Sequence, residues 1–384
     1  MGKVQVEVFF SAIDSLYFRG SRPHSAAGAS QLPSDFPAPI STLVGCIRTR
    51  LGDALGFDWA KPAERRTQVS DNQAVENRNL AQLIGGPEDT GQLRFGMAGL
   101  YKGGQRLYPV PAVLLQTDTG QLVRLELGDA VVCDLGHVRL AQLPQNVMNA
   151  KPIENGWLTE SGLQRFLNGN LPKASQLVNQ EDIFHNESRL GIGRDAALAT
   201  VKSGLLYQTE HLRLADDVEF SITVELPDWV LETFLTSLRK KPLQRLGGEG
   251  RMAYLRASTD VFPVAFNRVT SPSLLLLLSD LLVDSTFSRQ PIAELHPVRH
   301  EGIDCWDGTL NGVKLRLLSV VSAKARRTGG WDMRNNRPRE VQSYLPAGSC
   351  FFVQTIGDDS LTKLNGHQIG RCTDYGLGTL VCGR

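Results

Sequence analysis

Val218, Phe220, Ile222, Val224 and Leu226 alternate with Glu219, Ser221, Thr223 and Glu225. A period of two, apolar on one side and polar on the other, dictates a strand with one buried face. Asp228 follows as the expected cap of a helix whose apolar stripe is Leu231, Phe234, Leu235 and Leu238. Arg239, Lys240 and Lys241 suit the C-terminal dipole of that helix, and Pro242 discourages its continuation. A glycine-rich turn, Leu246-Gly247-Gly248-Glu249-Gly250-Arg251, then hands the chain to an expected strand over about Arg251 to Ala257.

The same grammar occurs at the start of the chain. Val4, Val6, Val8 and Phe10 alternate with Lys3, Gln5 and Glu7. After a Gly/Ser/Pro-rich loop, Ser41 or Thr42 is the expected cap of a helix carrying Leu43, Ile47, Leu51 and Ala54. With a further strand near Leu205 to Leu214, the order becomes strand, helix, strand, strand, helix, strand, the ferredoxin-like arrangement. Its halves are separated by an insertion of roughly Ala74 to His185, with short strands and a helix near Ser161 to Leu167. A connection that long is expected to be a functional appendage. From Asp260 the chain starts again, with expected strands at Leu274 to Val283, Val313 to Val320, Ser349 to Thr355 and Gly378 to Cys382. The fold class is therefore α+β: two ferredoxin-like (RRM-like) domains, 1–258 with the insertion and 259–384 as a degenerate copy.

A second glycine-rich turn, Ile369-Gly370-Arg371-Cys372-Thr373-Asp374-Tyr375-Gly376-Leu377-Gly378, precedes the last strand. Glycine lets a backbone approach a phosphate, and successive amides can form an anion-binding concavity. Gly247, Gly248, Gly250, Gly376 and Gly378 are thus candidate contacts, with Arg251 and Arg371 adding charge at each turn. Between Lys314 and Arg339 lie eight basic residues and one acid, Asp332. Lys324, Arg326 and Arg327 can clamp phosphates there, and Trp331 can stack on an unpaired base. A solvated loop with its tryptophan in the core is the bland alternative. The opening loop Tyr17-Phe18-Arg19-Gly20-Ser21-Arg22-Pro23-His24 has the same aromatic, arginine and glycine mixture, and the helix start at Ser41 and Thr42 offers amides to an anion. Arg189, Arg194 and Lys202 flank another glycine-containing stretch, where an edge strand blunted by charge would look alike.

Catalytic signatures are missing: no Walker lysine, no Gly-x-Ser-x-Gly and no His-Glu-x-x-His. His24, His185 and His211 are lone histidines and candidate general bases for RNA cleavage, although a single histidine is more often structural or exposed, and Tyr375 is the one tyrosine inside a glycine turn. His296, His300 and Cys305 raise a zinc site, but lack an obvious fourth ligand. No cofactor is expected. Lys+Arg 41 against Asp+Glu 40 leaves a net charge of +1, so a nucleic-acid surface must come from local segregation of charge. Six cysteines with no Cys-x-x-Cys pair, and an N-terminus without a signal-peptide pattern, suggest reduced thiols in a cytoplasmic protein. The apolar run Leu274 to Leu278 is too short to cross a bilayer.

Short segments spread over the whole chain resemble the third-subunit family of the Cmr complex, the type III-B CRISPR effector, within the RAMP superfamily. They are Phe18-Arg19-Gly20-Ser21-Arg22-Pro23, Pro39-Ile40-Ser41-Thr42-Leu43-Val44-Gly45, Leu190-Gly191-Ile192, Gly204-Leu205-Leu206-Tyr207 and the turn Leu246 to Arg251. Gly330-Trp331, Pro346-Ala347-Gly348-Ser349 and Gly376-Leu377-Gly378 complete the set. The stretch Val320 to Trp331 departs from the plainer Ile-Ser-Gly-Trp of relatives. The resemblance implies a non-catalytic subunit that grips the 5′ tag of the CRISPR RNA and docks the large polymerase-palm subunit and the backbone RAMP subunits. Carried over, the grip falls on Arg19, Arg22, Ser41, Thr42, Arg48, Gly247, Gly248, Gly250, Arg251 and Lys324 to Arg327. The insertion is expected to supply a thumb that wedges beside a displaced nucleotide. The alternative is a metal-independent, repeat-processing endoribonuclease of the same superfamily.

Overall fold

The computed structural model describes residues 2–20, 31–59, 80–86, 89–194, 201–261, 269, 271–283, 292–329, 331–332 and 337–384, the side chains of 31, 193–194, 201–206 and 331–332 excepted. The chain forms two compact units. One comprises Met1–Gly103, Ile183–Phe262 and Thr328–Val341, and the other Gly104–Asp182, Pro263–Arg327 and Gln342–Arg384. Units therefore do not follow halves of the chain: the larger part of the expected insertion, from Gly104 onward, belongs to the second unit rather than to the first.

In the first unit, strands Arg94–Lys102, Val218–Pro227, Lys3–Ala12, Met252–Ser258 and Leu243–Arg245 lie side by side in that order, all antiparallel. Taken by chain position, the four long strands run second, third, first, fourth. Val8 faces Ile222, and Phe10 faces both Phe220 and Leu255. These five side chains are at most 1 % exposed, as the alternation demands. Helix Asp228–Lys240 packs on the sheet through Val230, Phe234 and Leu238, and helix Ile40–Ala54 packs against it. Pro227 and Pro39, rather than Asp228 and Ser41 or Thr42, occupy the N-cap positions, and neither cap has a side-chain hydrogen bond. Proline's fixed φ suits the turn into each helix, so the polar residues after it fall inside the first turn.

The second strand of this order is Arg94–Lys102, and not the expected Leu205 to Leu214. That segment instead belongs to a long hairpin, Phe184–Arg194 with Val201–Leu214, whose further strand partner is the short Gln31–Leu32. Alternation alone shows that a strand has one buried face; it does not say which neighbour it takes.

In the second unit, strands Leu295–His300, Ile303–Leu310, Val313–Val321, Cys350–Thr355, Leu274–Leu277 and Leu380–Gly383 are adjacent in that order. The last four again run second, third, first, fourth. Leu274 to Leu277 are all completely buried in the centre, each contributing about 1.5–3 kcal/mol of transfer free energy. Among the described residues of 263–384 there is no α-helix; short 3-10 turns, Leu361–Leu364 and Thr373–Tyr375, occupy the third-to-fourth connection. Residues 104–182 add short strands and helix Glu160–Leu167, capped by Thr159, whose hydroxyl accepts from the Gly162 amide. No helix among the described residues is long and apolar enough to cross a membrane.

Candidate nucleic-acid interface

Strand Lys3–Ala12 is followed by Asp14 and Ser15, and the chain then threads between two other elements of the first unit. Leu16 and Leu212 exchange backbone hydrogen bonds at 2.8 Å, which ties this segment to the base of the long hairpin. The Tyr17 carbonyl accepts the Gly248 amide at 2.8 Å, which ties it to the first glycine turn. Gly247 has φ +82°, and a Cβ there would stand 2.3 Å from the Tyr17 oxygen. Glycine is needed at this position for close packing of two backbones. The expectation of a free amide cradle is accordingly revised for Gly248, and the Arg251 amide likewise donates to the Gly248 carbonyl at 3.1 Å.

Arg251 reaches out of the turn to Asp14, with Nη1 donating to Oδ2 at 3.0 Å. Two hairpin arginines join it: Arg189 Nη2 donates to Asp14 Oδ2 at 3.0 Å, and Arg213 Nη2 to Oδ1 at 2.8 Å. Glu187 accepts from Nε of Arg189 at 2.7 Å and from Nε of Arg213 at 2.6 Å. Hydrogen bonds from Arg213, then Arg189, hold the Asp14 carboxyl down at about 2. The same two partners lower Glu187. Both acids stay ionised through the neutral range, and three cations against two anions leave the cluster with a charge of +1. Its side chains are 21–47 % exposed, so the cluster is reachable from solvent.

His211 lies beneath this surface, 1 % exposed. Its ring stacks on Tyr17 with centroids 5.2 Å apart, and its nitrogens lie 3.1 Å from the Ser15 and Thr209 hydroxyls. Burial, aided by Arg251 and Arg189 and opposed by Glu187 and Asp14, lowers its pKa from the ordinary 6.5. A depressed folded-state value means that neutral His211 supports stability above pH 6.5, and that this support is lost as pH falls below it. The melting temperature is therefore expected to drop between pH 6.5 and 5. His211→Gln should flatten that part of the profile; an unchanged profile would remove His211 as its source.

The other expected contacts are dispersed. Arg19 is half-buried, its backbone bridged to Ser34. Arg22 and His24 lie outside the described residues. Ser41 is exposed in the first turn of its helix, and Thr42 is half-buried. Arg48 donates to the Gly86 carbonyl at 2.6 Å. Arg194 is paired with Val201 towards the end of the hairpin and Lys202 follows it, their side chains lying outside the described part. Trp331 pairs with Pro338 through its backbone, and its side chain is likewise outside.

In the second unit, Lys324 and Arg327 are exposed, while Arg326 Nη1 donates to Asp280 Oδ2 at 3.2 Å. Asp280 also accepts the Ala347 amide on Oδ1 and the Gly378 amide on its carbonyl, each at 2.9 Å. The Gly376 amide donates to Thr373. These two glycine amides are internally engaged, and their free-donor role is revised as for Gly248. Among the described residues no His/Cys/Asp/Glu group is arranged to hold a metal; His296 and His300 are exposed and Cys305 is buried. Asp14, Glu187 and Arg213 escaped the sequence reading. Glu187 and Arg189 stand two apart on one strand face, the single local signal for the cluster.

A family model described as CRISPR-associated protein (Cas_Cmr3) matches residues 9–384. Among solved structures, the fold is similar to a chain of "Cryo-EM structure of the Type III-B Cmr-beta bound to cognate target RNA and AMPPnP, state 1", at 16% identity and TM-score 0.47, over 90% of this chain and 86% of that one. It is also similar to a chain of "Crystal structure of Csm3-Csm4 subcomplex in the type III-A CRISPR-Cas interference complex", at 10% identity and TM-score 0.39, over 92% and 94%. A third, described as "CRISPR associated protein Cas6", has 9% identity and TM-score 0.32 with full coverage of both chains. No curated protein matches.

Proposed function

Since the chain belongs to the Cas_Cmr3 family of CRISPR-associated proteins, we propose that it is a non-catalytic RNA-binding subunit of a type III-B effector. It grips the 5′ tag of the CRISPR RNA and docks the large palm-domain subunit and the backbone RAMP subunits. The observation that carries this reading is the convergence of Arg189, Arg213 and Arg251 at a solvent-accessible point beside the first glycine turn. Guanidinium groups offer planar forks of donors that match phosphate oxygens. Tag recognition combines such phosphate contacts with stacking on splayed bases, as single-stranded RNA permits.

Two ferredoxin-like cores underlie the function, within Lys3–Ser258 and Leu274–Gly383. Supporting this is the repeated strand order second, third, first, fourth, with a glycine turn before the fourth strand in each. The thumb role passes from the expected insertion to the hairpin Phe184–Arg194 with Val201–Leu214, where Leu190 and Ile192 are 74% and 49% exposed. An apolar pair of this kind suits a wedge beside an unstacked base. His211 is enclosed by Tyr17, Ser15 and Thr209, which argues against its serving as a base in RNA cleavage.

The test is titration of the full chain with labelled CRISPR RNA, with and without its 5′ tag, at two salt concentrations, on a gel that also resolves cut RNA. Tag-dependent binding of intact RNA that weakens with salt is expected. Equal affinity for tagless RNA would remove tag recognition, and cleaved RNA would put the endoribonuclease in its place.

A further inference from the structure

Asp14 receives guanidinium groups from three separate stretches of chain: the glycine turn, and the outgoing and returning strands of the long hairpin. Each guanidinium carries five N–H donors. On Arg189 and Arg213 the Nε and Nη2 atoms are engaged by Glu187 and Asp14, which leaves both Nη1 groups without a hydrogen-bond partner among the described residues. Arg251 uses Nη1 alone, and its Nε is buried without a partner. The two carboxylates thus fix the orientation of three cations while accepting about a third of their N–H donors. Arg213, absent from every sequence motif, has 47% of its side chain exposed.

We propose that Asp14 is a positioning residue that holds Arg189, Arg213 and Arg251 together as one receptor for an RNA phosphate, with Arg213 among the residues that touch it. This rests on the RNA-binding function proposed above. The arginines come from segments far apart in the chain, and without a shared acceptor their like charges push them apart. A carboxylate at the centre lets them stand close enough for one phosphate to meet several. Simple charge masking by Asp14 makes the opposite forecast, because removing a negative charge beside three arginines would then tighten RNA binding.

Asp14→Asn keeps the shape of the side chain and removes its charge, so the two accounts differ in sign. Full-chain protein is titrated with labelled single-stranded RNA carrying the 5′ tag at two salt concentrations. Asp14→Asn is expected to bind about tenfold more weakly, with the slope of log affinity against log salt reduced by about one. Asp14→Glu, which restores the carboxylate, should recover part of the loss. Arg213→Ala, an exposed change that does not threaten the fold, should also lower the slope. Unchanged or tighter binding by Asp14→Asn, or a wild-type slope for Arg213→Ala, would overturn the proposal while leaving RNA binding intact. A wild-type chain that binds no RNA would remove the underlying function, and this role with it.

Discussion

Gly378→Ala is expected to destabilise the second unit by about 3 kcal/mol or more. Gly378 has φ +72°, and a Cβ there would lie 1.9 Å from the Ile369 carbonyl oxygen. The strain has no easy outlet. The Gly378 amide donates to Asp280 at 2.9 Å, and its carbonyl accepts the Ile369 amide at 3.0 Å, so backbone movement breaks hydrogen bonds on both sides. Gly250 supplies the internal control. Its φ is +68°, but a Cβ would meet nothing within 4 Å. Gly250→Ala therefore carries only the left-handed backbone penalty, about 1–2 kcal/mol. Urea denaturation of both variants separates steric from conformational loss; equal shifts would mean that close packing at Gly378 is unimportant.

Phe220→Ala is expected to cost about 3–5 kcal/mol, the usual range for deleting a large buried aromatic. Phe220 is 1% exposed. Its ring lies 6.0 Å from Phe18, edge to face, and 5.7 Å from Phe36, which in turn lies 4.2 Å from Phe184. One side chain of the central sheet thus props both the segment after the first strand and the base of the long hairpin. The loss should register twice: in denaturation, and as weaker RNA binding at temperatures where the variant is still folded. Phe220→Leu should retain most of both. A change in stability below about 1 kcal/mol would show that this aromatic group does not support the site.

Much of the fold was legible because apolar periodicity is a local property. The strands over Lys3–Ala12 and Val218–Pro227, both long helices, and the central strands of the second unit lie where alternation and helical spacing put them. The second strand of the first sheet was not legible. Arg94–Lys102, with its Gly96 and Gly99, reads less cleanly than the segment Leu205 to Leu214 that sequence reasoning favoured. The candidate site divides in the same manner. Arg189, Arg251 and the glycine turn announce themselves through residue type, whereas Arg213 and Asp14 are ordinary charges until the hairpin folds against the end of the first strand.

Sequence by itself determined which stretches are strands and helices, where glycine must stand, and which family's segments the chain carries, since each depends on neighbours a few residues away. Tertiary structure alone decided which strands pair and how residues 104–182 join the second unit. It alone turned the amides of Gly248, Gly376 and Gly378 inward and brought Asp14 and Glu187 onto three arginines. The physical reason is that hydrogen bonds and ion pairs between residues some 200 positions apart leave no periodic trace in the chain. They arise only when burial of the apolar faces has placed the strand ends beside one another.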